Sequence, residues 1–259
     1  MIVSEDQSGR ELVLINYPEK IISLVPSISE LLWDLNLEKE ICGVTKFCIH
    51  PETMYRSKTH IGGTKNLNID RIREIKPDLI IGNKEENRKQ DIELLVPEFP
   101  VWISDVNTYD EALQLIRETG LLCNRKQEAE SIISELTALR KNVPPVKKVL
   151  YFIWHQPDYA AGKNTFIDAM LNEAGFENCL TDFRYPEIND QKAKELQPDY
   201  LFLSSEPYPF SEKHQNYFHK MFPDAKICFV DGEMFSWYGS RMKKAFSYFN
   251  ELRMQLEKG

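Results

Sequence analysis

The sequence has no apolar run near the roughly 20 residues that a bilayer-spanning helix needs. Its start, MIVSEDQSGRELVLI, has no basic segment followed by an apolar one, so it does not resemble a secretory signal peptide. From this pattern we expect a protein that does not span a membrane. We expect it to be cytoplasmic as the sequence stands, or periplasmic if a leader has been removed.

Cysteine and histidine patterns typical of metal sites are also missing. The five cysteines are scattered without a Cys-x-x-Cys pair, which argues against a disulfide framework and against a zinc site. The five histidines are isolated, with no His-x-His and no HExxH. Histidines near Cys48 and Glu206 could meet in a folded cleft, but their spacing matches no ligand pattern. We therefore predict no metal site.

The charge and the missing sequence motifs argue against several classes of function. A net charge of -8 and a pI near 5.3 argue against a nucleic-acid-binding protein, which usually presents a basic face. The sequence contains no GxGxxG, GxxxxGK[ST] or GxSxG. Nucleotide-phosphate binding and serine hydrolysis therefore lack their characteristic loops.

The sequence does contain a regular alternation of short apolar runs and amphipathic segments. IISLV at residues 21–25 is typical of a buried strand, and SISELLWDLNL follows it. Ser27 with Glu30 three residues later has the spacing of a helix capping box. The strand–helix alternation then recurs with short loops, which predicts α/β architecture with mostly parallel sheets.

One long segment interrupts the alternation. Residues 123–143 contain neither glycine nor proline and are rich in helix-forming residues. Pro144 and Pro145 follow, and proline cannot continue a helix. We predict two α/β lobes, residues 1–122 and 144–259, bridged by one helix over 123–143.

An internal match suggests that the lobes are related. LNIDRIREIKPDLII begins at Leu67, and INDQKAKELQPDYLF begins 121 residues later at Ile188. Duplication or a shared plan of the two lobes explains this match, although helix–proline–strand connections can also recur by chance. Either way, the segments after Asn83 and after Ser204 follow equivalent strands, at the sheet end where ligands bind in open α/β folds.

The stretch VDGEMFSWYGSR near the C-terminus is a candidate wall of a binding site. Phe235 and Trp237 alternate as strand residues do, so we expect Trp237 and also Phe235 to face the ligand. Arg241, placed in the first turn of the last helix, would be disfavoured by the helix dipole. We therefore expect it to pair with Glu206 or with an anionic ligand.

Taken in order along the chain, these stretches resemble the helical-backbone (class III) substrate-binding proteins of bacterial ABC importers. That family includes cobalamin- and iron-siderophore-binding proteins, and the cobalamin branch is the most similar. The matching segments include KIISLVPSISELL, ICGVTKFCIHP, IGGTKNLNIDRIREIKPDLIIGNKEEN and YPEINDQKAKELQPDYLFLSSEP. The resemblance implies two Rossmann-like lobes with mostly parallel central sheets, one bridging helix, and a ligand in the cleft between the lobes.

The function implied by the resemblance is binding without catalysis, as the substrate-binding component of an ABC importer or as a cytoplasmic relative of one. The expected ligand is a corrinoid such as cobalamin, haem or an Fe(III)-siderophore, with no cofactor required. The expected partners are this small molecule and an ABC permease, and we expect a monomer. The alternatives are a chelatase-like or ligand-modifying enzyme, with His155 and Glu206 as its proton-transfer pair, and an interaction module that presents an aromatic patch.

The resemblance also assigns candidate residues by position. The expected ligand-binding residues are Pro26, Ser27, Lys46, Phe47, Gly63, Thr64, Asn83, Lys84, Trp154, His155, Ser205, Glu206, Tyr208, Phe235, Trp237 and Arg241. Thr64 stands where the cobalamin branch has a tryptophan. Family members present one carboxylate per lobe to the permease. Asp70 matches the first of these carboxylates, whereas the second position falls on Ser236 and lacks one.

Overall fold

The computed structural model describes residues 1–141, 143–144 and 147–258. The chain forms two compact units. Unit 1 comprises Met1–Val106, Asp110–Thr137 and Tyr238–Met242. Unit 2 comprises Asn107–Tyr109, Ala138–Trp237 and the last segment from Lys243 onward.

Unit 1 is built on a parallel sheet. Its strands are β1 (Ile2–Glu5), β2 (Glu11–Leu14), β3 (Ile21–Ser23), β4 (Ile41–Val44), β5 (Thr59–His60), β6 (Gly62–Gly63), β7 (Asn66–Leu67), β8 (Leu79–Asn83) and β9 (Val101–Ser104). Its helices are α1 (Pro26–Asp34), α2 (Glu52–Ser57), α3 (Ile69–Ile75) and α4 (Lys89–Leu95), followed by α5 (Tyr109–Leu122) and α6 (Lys126–Leu139), which each extend into unit 2. The main sheet has the order β5-β4-β3-β8-β9 with every pairing parallel, while β1–β2 and β6–β7 are antiparallel pairs.

Unit 2 repeats this plan. Its strands are β10 (Lys147–Trp154), β11 (Tyr159–Ala160), β12 (Phe176–Asn178), β13 (Tyr200–Ser204) and β14 (Lys226–Val230). Its helices are α7 (Phe166–Glu173), α8 (Asp190–Ala193), α9 (Gln215–Met221), α10 (Glu233–Ser236) and α11 (Met242–Lys258), whose first residue is grouped with unit 1. The sheet order is β11-β10-β13-β14, with β12 also beside β10, and only the β10–β11 pairing is antiparallel. The predicted α/β class with mostly parallel sheets is confirmed.

Helix α1 begins differently from the prediction. Its N-cap is Val25 and makes no side-chain cap, and Pro26 occupies the first turn. Proline suits that position because its missing N–H would be unpaired there anyway. Ser27 is therefore inside the helix, and the predicted capping box of Ser27 with Glu30 is wrong. The side chain of Glu30 is buried and has another partner, described below.

The predicted bridging segment, residues 123–143, contains α6. This helix spans Lys126–Leu139, and the division between the two units falls within it, after Thr137. Pro144 is not helical, while Asn142 and Pro145 lie outside the described residues. The lobe limits at 122 and 144 remain predictions.

The internal sequence match corresponds to a repeated local structure. Asn68 caps α3 by accepting a hydrogen bond from the Arg71 amide (3.0 Å), and Asn189 caps α8 from the Lys192 amide (2.9 Å). Side-chain capping of this kind satisfies one of the free N–H groups at a helix start.

An aspartate follows the proline in each copy and joins two strands at their starts. The Asp78 carboxylate accepts from the Lys20 amide (2.9 Å), and the Asp199 carboxylate accepts from the Lys148 amide (2.7 Å). In each case the aspartate N–H also donates to the carbonyl of the same lysine. The recurrence of the cap and of this aspartate bridge supports duplication over a chance match.

Candidate functional site

An interior strand of each main sheet, β8 in unit 1 and β13 in unit 2, ends in an equivalent turn. Asn83 closes β8, and its Oδ1 accepts from the Glu85 and Glu86 amides (2.8 and 3.0 Å). Ser204, 121 residues later, closes β13, and its Oγ accepts from the Glu206 amide (3.3 Å). Asn83 is buried, and its Nδ2 donates to Ser104. The structure therefore corrects the prediction for Asn83, since it shapes the loop instead of facing a ligand.

In unit 1 the most accessible candidates follow β4. Phe47 is 50% exposed, and the Lys46 ammonium lies 5.1 Å from the centre of its ring. Gly63 permits this arrangement, because a Cβ added to it would lie 3.2 Å from the Phe47 ring. Thr64 is buried. The structure thus presents an aromatic ring and a cation side by side at the end of a parallel strand.

The other unit 1 candidates are less available. Ser27 is buried, and Pro26 is only partly exposed at the start of α1. The exposed Lys84 forms an ion pair with Asp105. Asp70, the predicted permease-docking residue, lies in the first turn of α3, where its side chain is 89% exposed.

In unit 2 an aromatic wall, formed by Trp154 and Tyr208, begins at the last residue of β10. Trp154 is 42% exposed and meets Tyr208 edge to face, with ring centres 5.6 Å apart. Tyr208 in turn forms a hydrogen bond with His214 Nε2 (3.1 Å). Edge-to-face pairs hold aromatic rings in a defined orientation. The exposed face of the Trp154 ring is therefore already oriented for contact with an apolar ligand.

His155 lies beside this wall in a hydrogen-bonded group of three. Its Nδ1 is 2.6 Å from Asp158 Oδ1, and the Tyr217 hydroxyl donates to Asp158 Oδ2 (2.6 Å). Sequence analysis missed both Asp158 and Tyr217. Asp158, three residues after His155 in a proline turn, could have been noticed from its spacing. Tyr217 lies 59 positions from Asp158, and no local pattern links the two.

Glu206 is held by the stretch that the sequence singled out. Its Oε1 accepts from the Ser236 hydroxyl (2.7 Å) and from Trp237 Nε1 (2.9 Å). Burial raises the pKa of Glu206, and the negative charges of Glu233 and Asp231 raise it further, whereas these two hydrogen bonds act in the opposite direction. Ser205, which precedes Glu206, is exposed, and its Oγ accepts a hydrogen bond from the Gly232 amide (2.9 Å).

The expectation that Phe235 faces a ligand is wrong. Residues 233–236 form a helical turn, α10, so the strand-like alternation on which that expectation depended does not exist. Phe235 is fully buried against Tyr151 and Phe249, with ring centres 5.2 and 4.8 Å away. Trp237 is 8% exposed, and its indole nitrogen binds Glu206. Ser236 and Trp237 therefore hold the Glu206 carboxyl group in place, while the Phe235 and Trp237 rings expose little surface to a ligand.

Arg241 also differs from its expected role. It precedes α11, and its buried guanidinium pairs with Glu30, with Nε 2.6 Å from Oε2 and Nη2 2.9 Å from Oε1. Both residues belong to unit 1. The expected pairing with Glu206 or a ligand is therefore corrected to a structural ion pair with Glu30.

The arrangement gives the enzymatic alternative no geometric support. Among the residues that the structure describes, no hydrogen bond or ion pair joins His155 to Glu206. Within the same part of the chain, no group of three or more His, Cys, Asp or Glu side chains is placed to hold a metal ion.

Over the described ranges, no helix is both long enough and apolar enough to cross a bilayer.

A family model described as periplasmic binding protein matches residues 21–224, well over half of the chain. The chain belongs to the periplasmic binding protein family. Its relatives include an uncharacterized ABC transporter substrate-binding lipoprotein of Bacillus subtilis, 24% identical over 217 residues, which cover 76% of this chain and 67% of that protein. A cobalamin-binding protein of Halobacterium salinarum is 22% identical over 210 residues, which cover 76% of this chain and 57% of the relative.

Solved structures give the same fold. A possible iron-binding, periplasmic solute-binding protein of Staphylococcus epidermidis matches with a TM-score of 0.77 at 21% identity, over 91% of this chain and 98% of that one. At this identity the likeness establishes the fold of this periplasmic binding protein and leaves its ligand open. The chain spans between 57% and 67% of the length of the two curated relatives.

Proposed function

We propose that this protein binds a corrinoid or an iron complex, without catalysis, as the substrate-binding component of an ABC importer. The observation that carries the proposal is the family match, together with relatives named as an ABC transporter substrate-binding lipoprotein and as a cobalamin-binding protein. The named alternative, a ligand-modifying enzyme, has no comparable support.

Each unit by itself presents an aromatic ring that suits a flat, partly apolar ligand. Phe47 follows β4 in unit 1, and Trp154 is the last residue of β10 in unit 2, so each exposed ring lies at the end of a strand. Such strand ends are where open α/β folds place their ligands, and exposed rings on a rigid scaffold suit the face of a macrocycle. Lys46 lies beside the Phe47 ring, and Ser205 and Glu206 follow β13 in unit 2, so we propose these residues as the polar groups that orient the ligand.

A membrane permease is the proposed protein partner. Asp70 lies in the first turn of α3, and the repeated unit places Asp190 in the first turn of α8, with an asparagine cap before each. Both aspartates are exposed. We propose Asp190, in place of the non-acidic Ser236, as the carboxylate of the second lobe. This assignment gives one docking carboxylate in each lobe.

The importer role implies that the ligand is captured outside the cytoplasm. It requires neither a catalytic group nor a resident cofactor, because the metal complex is the cargo. Docking can be tested with charge reversals, since Asp70→Lys and Asp190→Lys should each weaken association with permease-containing membranes while leaving ligand affinity unchanged. Equal association by the double variant and the unchanged protein would rule out this docking surface.

Ligand binding is testable by tryptophan fluorescence. Of the four tryptophans, Trp154 is the exposed one, whereas Trp102 and Trp237 are buried and Trp33 is partly buried. Cobalamin, cobinamide and haem absorb in the region of tryptophan emission and should quench it saturably. The change should be smaller in Trp154→Phe. A panel of these ligands and ferric siderophores that gives no saturable quenching would refute the proposed function.

A further inference from the structure

The imidazole of His155 is fixed at one nitrogen and open at the other. Asp158 receives hydrogen bonds at both oxygens, from His155 Nδ1 and from the Tyr217 hydroxyl, each at 2.6 Å. A carboxylate can only accept, so the proton of the neutral ring lies on Nδ1 and Nε2 carries the lone pair. Among the described residues, Nε2 has no hydrogen-bond partner.

The surroundings of this ring are aromatic. Five rings lie around His155 at centre distances between 4.9 and 6.4 Å, namely those of Tyr208, Phe210, His214, Tyr217 and Phe218. Its side chain is 9% exposed. Nε2 is not among the buried side-chain atoms that lack a partner, so this nitrogen stays accessible to a ligand while most of the ring is enclosed.

The chemistry of that ligand follows from the hydrogen-bonded group. A histidine whose Nδ1–H is held by a carboxylate is the usual form of a metal-ligating histidine, since the carboxylate orients the ring and strengthens its lone pair. A single histidine cannot hold a free ion, and the described part of the chain contains no cluster that could. One histidine is sufficient when the ligand brings its own metal.

We infer that His155 coordinates, through Nε2, the metal of a bound macrocycle, with Asp158 and Tyr217 as positioning residues. This inference rests on the proposed function and narrows it to complexes with an exchangeable axial position. Such complexes are a corrinoid whose lower base is absent or displaced, and haem. Binding forms one metal–nitrogen bond and releases the weaker axial ligand, such as water, without any change in oxidation state. Trp154, the preceding residue, is placed to contact the face or edge of the ring system.

The test uses the full chain with diaquacobinamide and with haemin as separate probes. Tryptophan quenching reports binding, and the visible absorption bands report nitrogen ligation of the metal. For at least one probe we expect the bands to shift on binding, and His155→Ala should abolish the shift. Asp158→Asn should weaken binding about tenfold or more, as is typical for an outer-shell carboxylate. A shift with only one probe identifies the class of macrocycle.

Two further variants serve as controls for loss of the fold and for binding of the probes to other histidines. His155→Asn keeps a side-chain N–H for Asp158, so it should retain the fold while losing the band shift. His219→Ala removes an exposed imidazole from α9 and should leave both signals unchanged. Quenching without a band shift, or a shift that persists in both His155 variants, would overturn the inference and leave the proposed function standing. No quenching by any probe would overturn both.

Discussion

Arg241 and Glu30 form a two-point ion pair within unit 1, although 211 positions separate them in the sequence. The two contacts measure 2.6 and 2.9 Å, and the side chains are only 4% and 7% exposed. The pair attaches the segment Tyr238–Met242 to helix α1. Because both charges are buried, the pairing contributes to the stabilisation of each charge.

We predict that Arg241→Met lowers the free energy of unfolding by roughly 3–5 kcal/mol, because it removes the Arg241 cation from beside the buried Glu30 carboxylate. The double variant Glu30→Leu with Arg241→Met should recover much of this loss, since it leaves no unpaired charge. Urea unfolding followed by circular dichroism measures both values.

The matched control is an exposed pair of the same kind. Arg56 and Glu52 are 74% and 72% exposed at the side chain, so Arg56→Met should cost no more than about 1 kcal/mol. If Arg241→Met were no more costly than Arg56→Met, the buried pair would not have the structural role assigned to it.

Glu206 should make stability depend on pH in an unusual direction. Burial and neighbouring acids raise its pKa in the folded state above the ordinary value of 4.5, so the fold favours the protonated form. Its contribution to stability is therefore complete below the unfolded pKa and is lost as the pH rises through the folded one. Glu206→Gln stays neutral and keeps an oxygen for Ser236 and Trp237. The variant should match the unchanged protein near pH 4 and exceed it in stability at pH 7.

Glu98→Gln is the control for that measurement because its trend should be the reverse. The Arg73 side chain lowers the pKa of Glu98, so this carboxylate stabilises the fold above pH 4.5 and loses that effect as the pH falls. Unfolding curves between pH 4 and 7 compare the two variants. A Glu206→Gln difference that shrinks toward neutral pH would contradict the prediction.

The repeated aspartates should have matching effects. Asp78 and Asp199 each bond the first residues of a neighbouring strand, and both are exposed. Replacing either by alanine removes these bonds and should lower the free energy of unfolding by about 1 kcal/mol. Asp224→Ala, at an exposed turn, is the control and should have little effect. Clearly unequal losses for the two aspartates would argue against equivalent roles.

The repeat was readable in the sequence because its determinants are local. An asparagine cap, a short helix and a Pro-Asp turn lie within fifteen residues, and each has a characteristic residue type. Parallel strands such as β3 and β8 were equally clear, because buried strands form continuous apolar runs. The class of fold follows from such short segments.

The details of the site were less predictable because they depend on contacts between distant segments. Glu30 was interpreted through its nearest neighbour, Ser27, whereas its partner is Arg241. Phe235 was assigned by alternation, which fails in a helical turn of four residues. Neither outcome has a local signal, since each depends on how separate elements pack.

Trp154 and Phe235 should separate ligand binding from structural support. Trp154→Ala removes an exposed ring and should weaken binding of the ligand about fivefold or more, because truncating a contacting aromatic residue at a binding surface can cost over 1 kcal/mol. Its melting temperature should change little. Phe235→Leu opens space in the unit 2 core, so it should lower the melting temperature and leave the dissociation constant of the folded protein nearly unchanged. Fluorescence titration is unsuitable for Trp154→Ala, so equilibrium dialysis should measure both variants. The opposite result would reverse the roles assigned to these two rings. In that result, fully folded Phe235→Leu binds the ligand more weakly, whereas Trp154→Ala binds it as well as the unchanged protein.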